Sequence, residues 1–114
     1  MHELSIMEET LNLAIVSAEA QSAQRIHQIN LRIGLLSGVV PEALRFAFDV
    51  VIQGTIAAEA TLGIEEVPIL CYCAFCDQPF APEDHYLYEC PSCHQFSHTL
   101  LQGRELQLTS VEVS

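Results

Sequence analysis

Lysine is absent from the 114 residues, and the only fixed cations are Arg25, Arg32, Arg45 and Arg104, against 15 Asp and Glu and a formal charge of −11 with His neutral. Such a surface repels phosphate backbones and anionic lipid, so neither nucleic acid nor membrane is an expected partner, whereas a basic protein or a cation is electrostatically welcome. Tryptophan is also absent, and no run approaches the ~20 apolar residues needed to cross a bilayer. The acidic start Met1-His2-Glu3 lacks the basic segment of a secretory leader, which makes the cytoplasm the expected location.

What is present is enough apolar material to fold. Half the residues are hydrophobic and 17% are charged, and the length suits one domain, or one domain carrying a small module. The five cysteines are odd in number and crowded between Cys71 and Cys93. In a reducing compartment that arrangement favours a metal over a disulfide framework.

From Leu4 to about Ala23 there is no Gly or Pro, and Leu4, Met7, Leu11, Ala14, Ile15 and Ala18 recur at helical spacing. Ser5 and Glu8 match a capping box that starts this helix near Ser5, with His2 or Glu3 as the alternative start. Ile29, Leu31, Ile33 and Leu35 alternate with polar residues or Gly as in a half-buried strand, and a turn follows at Leu36-Ser37-Gly38. Pro41 suits the first position of a second helix with Leu44, Phe48, Val51 and Ile52 on one face and Gly54 as its stop.

Leu62 and Ile64, then Val67 and Ile69, read as one strand whose phase slips, with Pro68 at an edge or bulge. Leu106 and Leu108, followed in the opposite phase by Val111 and Val113, read as a third strand. The expected class is α+β: a small three-stranded sheet packed with two helices, plus an inserted four-cysteine zinc-ribbon module. Residues 1–70, completed by a C-terminal strand at 99–114, form the expected main domain. Residues 71–98 form the insert, which holds all five cysteines and six of the eight phenylalanines and tyrosines. So short a segment needs a metal or disulfides to hold a fold.

Cys73-Ala74-Phe75-Cys76 and Cys90-Pro91-Ser92-Cys93 give C-x2-C, 13 intervening residues, C-x2-C. Two knuckles of this kind complete a tetrahedral thiolate shell for Zn(II), with no open position for water, so the metal is structural. A redox CxxC is the competing reading, but two pairs at ribbon spacing argue against it. Cys71 reads as a spare reduced thiol. His94 and His98 are close enough in sequence to Cys93 to enter the shell, and His85 and His27 read as ordinary solvated or hydrogen-bonded side chains.

A His in second position is unusual in one respect. The free α-amine, the intervening amide nitrogen and the imidazole together chelate one ion, and nitrogen-rich planar sets favour nickel(II) or copper(II). Met1-His2-Glu3-Leu4-Ser5, then Ile33-Gly34-x-Leu36-Ser37-Gly38-Val39-x-Pro41-Glu42-x-Leu44-x-Phe46-x-Phe48, the two knuckles, and Gly103-Arg104-Glu105-Leu106-x-Leu108-x-Ser110-Val111-Glu112-Val113, in that order, resemble the HypA/HybF family. The resemblance spans nearly the whole chain.

That resemblance implies a nickel metallochaperone for maturation of [NiFe]-hydrogenase, in some organisms also serving urease. It implies Ni(II) as cargo bound through His2, with the Met1 amine and backbone and the Glu3 side chain or amide assisting, and Zn(II) held structurally by Cys73, Cys76, Cys90 and Cys93. It also implies two partners, the nickel-handling GTPase of the pathway and the hydrogenase large-subunit precursor. Cys71 is additional to the family's four cysteines, and His94 stands where a glycine often follows the second knuckle.

A bulky second residue such as His2 disfavours removal of Met1, so a retained Met1 is expected. The imidazole and the amine must both be deprotonated to bind, so nickel affinity should fall as pH drops through the imidazole range near about 6.5. The chain is not itself a GTPase, because Gly34 and Gly38 are not followed by the Gly-Lys-Ser/Thr of a phosphate loop. It reads as a metal carrier and maturation factor rather than an enzyme. The alternatives are a zinc-ribbon interaction module without nickel transfer and a thiol enzyme using Cys71 or a CxxC. The sequence allows a monomer or a dimer.

Overall fold

The computed structural model describes residues 2–114, which fold as two compact units. The first comprises the chain up to Arg32, then Gly38–Glu65 and Gln107–Ser114. The second comprises Ile33–Ser37 and Glu66–Leu106. The cysteine-bearing unit is thus wider than the 71–98 segment marked out by composition, because Ile33–Ser37 hydrogen-bonds into it. Gly34 N–H donates to the Glu105 carbonyl at 2.8 Å and Leu36 N–H to the Gly103 carbonyl at 2.7 Å.

In the first unit, helix α1 (Glu3–Ala20) buries Met7, Leu11, Ala14 and Ala18, a stripe one residue wide at i, i+4, i+7 and i+11. Leu4, expected on that face, is exposed. The helix starts at Glu3 with His2 as its N-cap, and the Ile6 N–H reaches the His2 carbonyl at 3.1 Å. Ser5 therefore lies inside the first turn and makes no capping box with Glu8. Helix α2 (Pro41–Val51) has Pro41 in its first turn, as expected, and buries Leu44, Ala47 and Phe48 against α1. Gly54, beyond its end, takes φ +76°.

Strand β1 (Ile26–Gly34) starts earlier than the alternation at Ile29 suggests, and it lies centrally in a sheet ordered β2-β1-β6. Strand β2 (Thr61–Val67) runs parallel to β1, since cross-strand partners advance together: Gln28 with Thr61, then Arg32 with Glu65. Helix α2 is the crossover such a pair requires. Strand β6 (Leu106–Val113) closes the other side, where Arg25 and Ser114 exchange two backbone hydrogen bonds of 3.1 and 3.0 Å in antiparallel fashion.

The phase slip expected within a single strand at Leu62–Ile69 is instead a change of strand. After β2 the chain passes Pro68, which has no N–H to give to a ladder, and enters β3 (Leu70–Cys73) of a different sheet. That second sheet, ordered β4-β3-β5, belongs to the cysteine-bearing unit. Strand β4 (Gln78–Phe80) pairs antiparallel with β3 in the register Cys71↔Phe80 and Cys73↔Gln78. Strand β5 (Thr99–Gln102) pairs on the other side as Cys71↔Leu100 and Tyr72↔Thr99. Period-two geometry points Cys71 and Cys73 to one face, where they join Ile69, Phe80 and Cys90 in a small buried cluster.

Candidate metal centre

The four cysteines of the two knuckles converge. The sulfurs of Cys73, Cys76, Cys90 and Cys93 all lie within 4.8 Å of one another, with Cys73 Sγ to Cys93 Sγ at 3.5 Å and Cys76 Sγ to Cys90 Sγ at 4.0 Å. A tetrahedral zinc with Zn–S bonds of about 2.3 Å needs sulfur–sulfur edges of roughly 3.8 Å, so the donor set fits that ion. Cys73 and Cys90 are buried and Cys76 and Cys93 half-buried, so the site is closed towards the sheet and lightly screened outside.

The two knuckles share one backbone device. The residue after each second cysteine, Asp77 at φ 53° and His94 at φ 63°, is left-handed. Such a residue reverses the chain so that nearby amide groups turn back towards the knuckle, as at a helix C-terminus. Cys76 N–H approaches Cys73 Sγ at 3.4 Å, and the Cys90 carbonyl accepts His94 N–H at 2.9 Å. Neither Asp77 nor His94 is a glycine, and Asp is among the non-glycine residues that visit this region most readily.

These contacts spread the protonation of the metal-free thiols apart. Cys90 is lowered to about 7, first by the backbone N–H of Cys93 and, after an opposing desolvation, by that of Ser92. Cys76 is pushed up to about 12 by hydrogen bonding with Cys93, by desolvation and by the other sulfurs. Zinc binds the thiolate, so a bound divalent ion would draw off the protons of the four sulfurs.

The surrounding side chains hold the knuckles rather than the ion. The Tyr72 hydroxyl donates to Asp77 Oδ1 and fixes the first left-handed residue, while Ser97 Oγ donates to the Tyr72 carbonyl at 2.6 Å. Sequence reasoning missed this pair of supports, and nothing in the spacing of Tyr72, Asp77 and Ser97 announces it. Cys71 is fully buried in the apolar cluster outside the four-sulfur set, and burial pushes its thiol up. His94 Nδ1 faces Glu89 Oε1 at 3.4 Å, and His98 and His85 are exposed. Among the described residues, the four cysteines are the one group of this kind arranged to hold a metal.

The second candidate lies at the start of α1. His2 is exposed, and its N-cap position leaves the amides of the first turn without helical acceptors. The Glu3 carboxylate is engaged: its Oε2 accepts the backbone N–H of Val40 at 3.2 Å. That bond, together with Glu3's own N–H, holds the carboxyl below the ordinary carboxylate range. Met1, expected to supply the amine, lies outside the described residues. His27 is not near a metal set but meets Ser114 Oγ at 2.6 Å.

The family model described as hydrogenase/urease nickel incorporation metallochaperone, HypA, matches residues 1–113. The hydrogenase maturation factor HypA of Picosynechococcus sp. is 53% identical over 113 residues, 99% of each chain. That of Chloroflexus aggregans is 40% identical over 98% of each. The solution structure of the Ni metallochaperone HypA from Helicobacter pylori superposes with a TM-score of 0.67 at 25% identity, covering 99% of this chain and 97% of that one. A second HypA solution structure gives 0.73 at 25% identity, over 100% and 97%.

Proposed function

Because the chain belongs to the HypA family of hydrogenase and urease nickel-incorporation metallochaperones, we propose that it carries Ni(II) at the head of α1 and keeps Zn(II) apart in its four-cysteine centre. His2 supplies the imidazole, the Met1 amine and the adjoining amide nitrogens complete the set, and Glu3 assists. Cys73, Cys76, Cys90 and Cys93 hold the zinc. The zinc module 71–98 then lies within the unit of Ile33–Ser37 and Glu66–Leu106, and the nickel-carrying part is the other unit, which takes most of 1–70 and the end of 99–114.

The observation that carries this reading is the contrast between the two positions. The four thiolates are drawn together and largely enclosed, which suits an ion that stays. His2 is exposed at a helix N-terminus, whose partial positive charge opposes a cation, so nickel there is held by ligand chemistry against the local field and is readily passed on. The anionic Glu3, gripped by Val40, offsets part of that repulsion.

Transfer proceeds by ligand exchange, with nickel moving from His2 to an acceptor without becoming free. The acceptors are the nickel-handling GTPase of the pathway and the hydrogenase large-subunit precursor, and the work is that of a carrier in the cytoplasm rather than of an enzyme. No described helix is long and apolar enough to cross a membrane. The pathway's energy enters through the partner.

Nickel titration of the untagged, zinc-loaded protein tests this, alongside the His2→Ala variant and a form extended by a few residues at the N-terminus. The native chain should take up nickel, and both altered forms should lose it while keeping zinc. Equal nickel uptake by all three would place the cargo elsewhere.

A further inference from the structure

Helix α1 is apolar on two sides. Its core stripe is Met7, Leu11, Ala14 and Ala18, and the opposite side carries Leu13 and Val16, 62% and 65% exposed. With Glu9 and Asn12 these two line a shallow hollow of about 350 Å³ on the helix surface. The spacing 9, 13, 16 is i, i+4, i+7, one face of a helix, and His2, the N-cap, stands at the N-terminal end of that helix about two turns before Glu9. This neighbouring apolar pair lies largely uncovered by the described residues, on an 18-residue helix whose N-cap is His2.

The charge around it is of one sign. The helix holds Glu3, Glu8, Glu9 and Glu19 and no basic residue. A second copy of this chain laid against the stripe would set acidic helix against acidic helix, an unfavourable juxtaposition. A segment with apolar anchors and flanking Lys or Arg meets both features at once.

We propose that the Leu13–Val16 stripe of α1 is the docking surface for a basic amphipathic segment of the nickel-accepting protein, on the helix that His2 caps. This rests on the carrier reading above. Apolar contact at Leu13 and Val16 supplies affinity, while Glu8, Glu9 and Glu19 steer approach and make binding salt-dependent.

The test is the affinity of the zinc-loaded protein for the purified GTPase of the same pathway, by calorimetry at low and moderate salt. The Leu13→Ala/Val16→Ala double variant is compared with the native chain and with His2→Ala. Alanine favours helix and both side chains are exposed, so the double variant should keep its melting temperature and its nickel stoichiometry. The expected result is at least a tenfold loss of affinity for the double variant and weakening of native binding by salt, with His2→Ala docking normally but carrying no nickel. A folded double variant that binds as tightly as the native chain overturns the proposal. So does the absence of native binding, or a native dimer that the double substitution abolishes. If instead the native chain docks through the stripe yet takes up no nickel, the carrier reading fails and the docking surface stands.

Discussion

The carboxylate of Glu3 accepts the backbone N–H of Val40 at 3.2 Å, joining the first turn of α1 to the residue that precedes α2. A carboxylate engaged in this way orients the start of the helix. It also sets a negative charge where the helix end is positive.

Two substitutions separate that role from direct ligation. Glu3→Gln keeps an oxygen acceptor for Val40 and should bind nickel within a few-fold of the native chain, whereas Glu3→Ala should weaken it further without abolishing it. Complete loss in Glu3→Gln, equal to that of His2→Ala in the same titration, would make the side chain a ligand. The contact should also be insensitive to pH near neutrality. Glu3 is held below its ordinary value near 4.5, so the stabilisation is fully present above that value and lost as pH falls through the lower folded one.

The zinc centre should behave as the keystone of its unit. The buried cluster of Ile69, Cys71, Cys73, Phe80 and Cys90 is small, and structural zinc contributes about 10 kcal/mol or more in zinc-finger peptides. Replacing Cys90 with Ser should remove the single zinc per chain, measured by elemental analysis, and collapse the amide dispersion of Glu66–Leu106 while the helical circular dichroism of α1 and α2 persists. Thiol labelling of the zinc-loaded protein should be slow at all five positions, because in the proposed centre four sulfurs bind the zinc and Cys71 is buried. Three or more fast-reacting thiols would instead favour redox work.

Gly34 should tolerate no side chain. A Cβ there would run into the carbonyl of Gly103 and lie 2.7 Å from the Arg104 nitrogen, and all of these are backbone atoms that cannot swing away. Gly34→Ala should lower stability by about 1–3 kcal/mol, as overpacking does, read as a shift in the urea midpoint. An unchanged midpoint would mean that the approach of the two segments is not needed for folding.

Much of this protein was legible in the chain itself, because the relevant signals are local. The C-x2-C spacings fix which sulfurs can share one ion. The 3.6-residue recurrence of Met7, Leu11, Ala14 and Ala18 fixes a helix and its inner face, and Pro41 marks the start of α2 whatever packs on it. The motifs at the two ends of the chain and around Gly34–Phe48 mark membership of the HypA family, while nickel at His2 is the proposal that the titration tests. The tertiary structure decided what depends on partners far along the chain. Helix α1 starts at Glu3 rather than at the Ser5 box, in company with a partner at Val40, 37 residues away. The apparent phase slip at Pro68 is a change of sheet, because the partners of Leu70–Cys73 lie at Gln78–Phe80 and Thr99–Gln102. The left-handed turns at Asp77 and His94, and the exposure of Leu13 and Val16, are likewise set by where the chain must reverse and what it leaves uncovered. Periodicity and spacing are properties of neighbours, whereas pairing and exposure are properties of the whole fold.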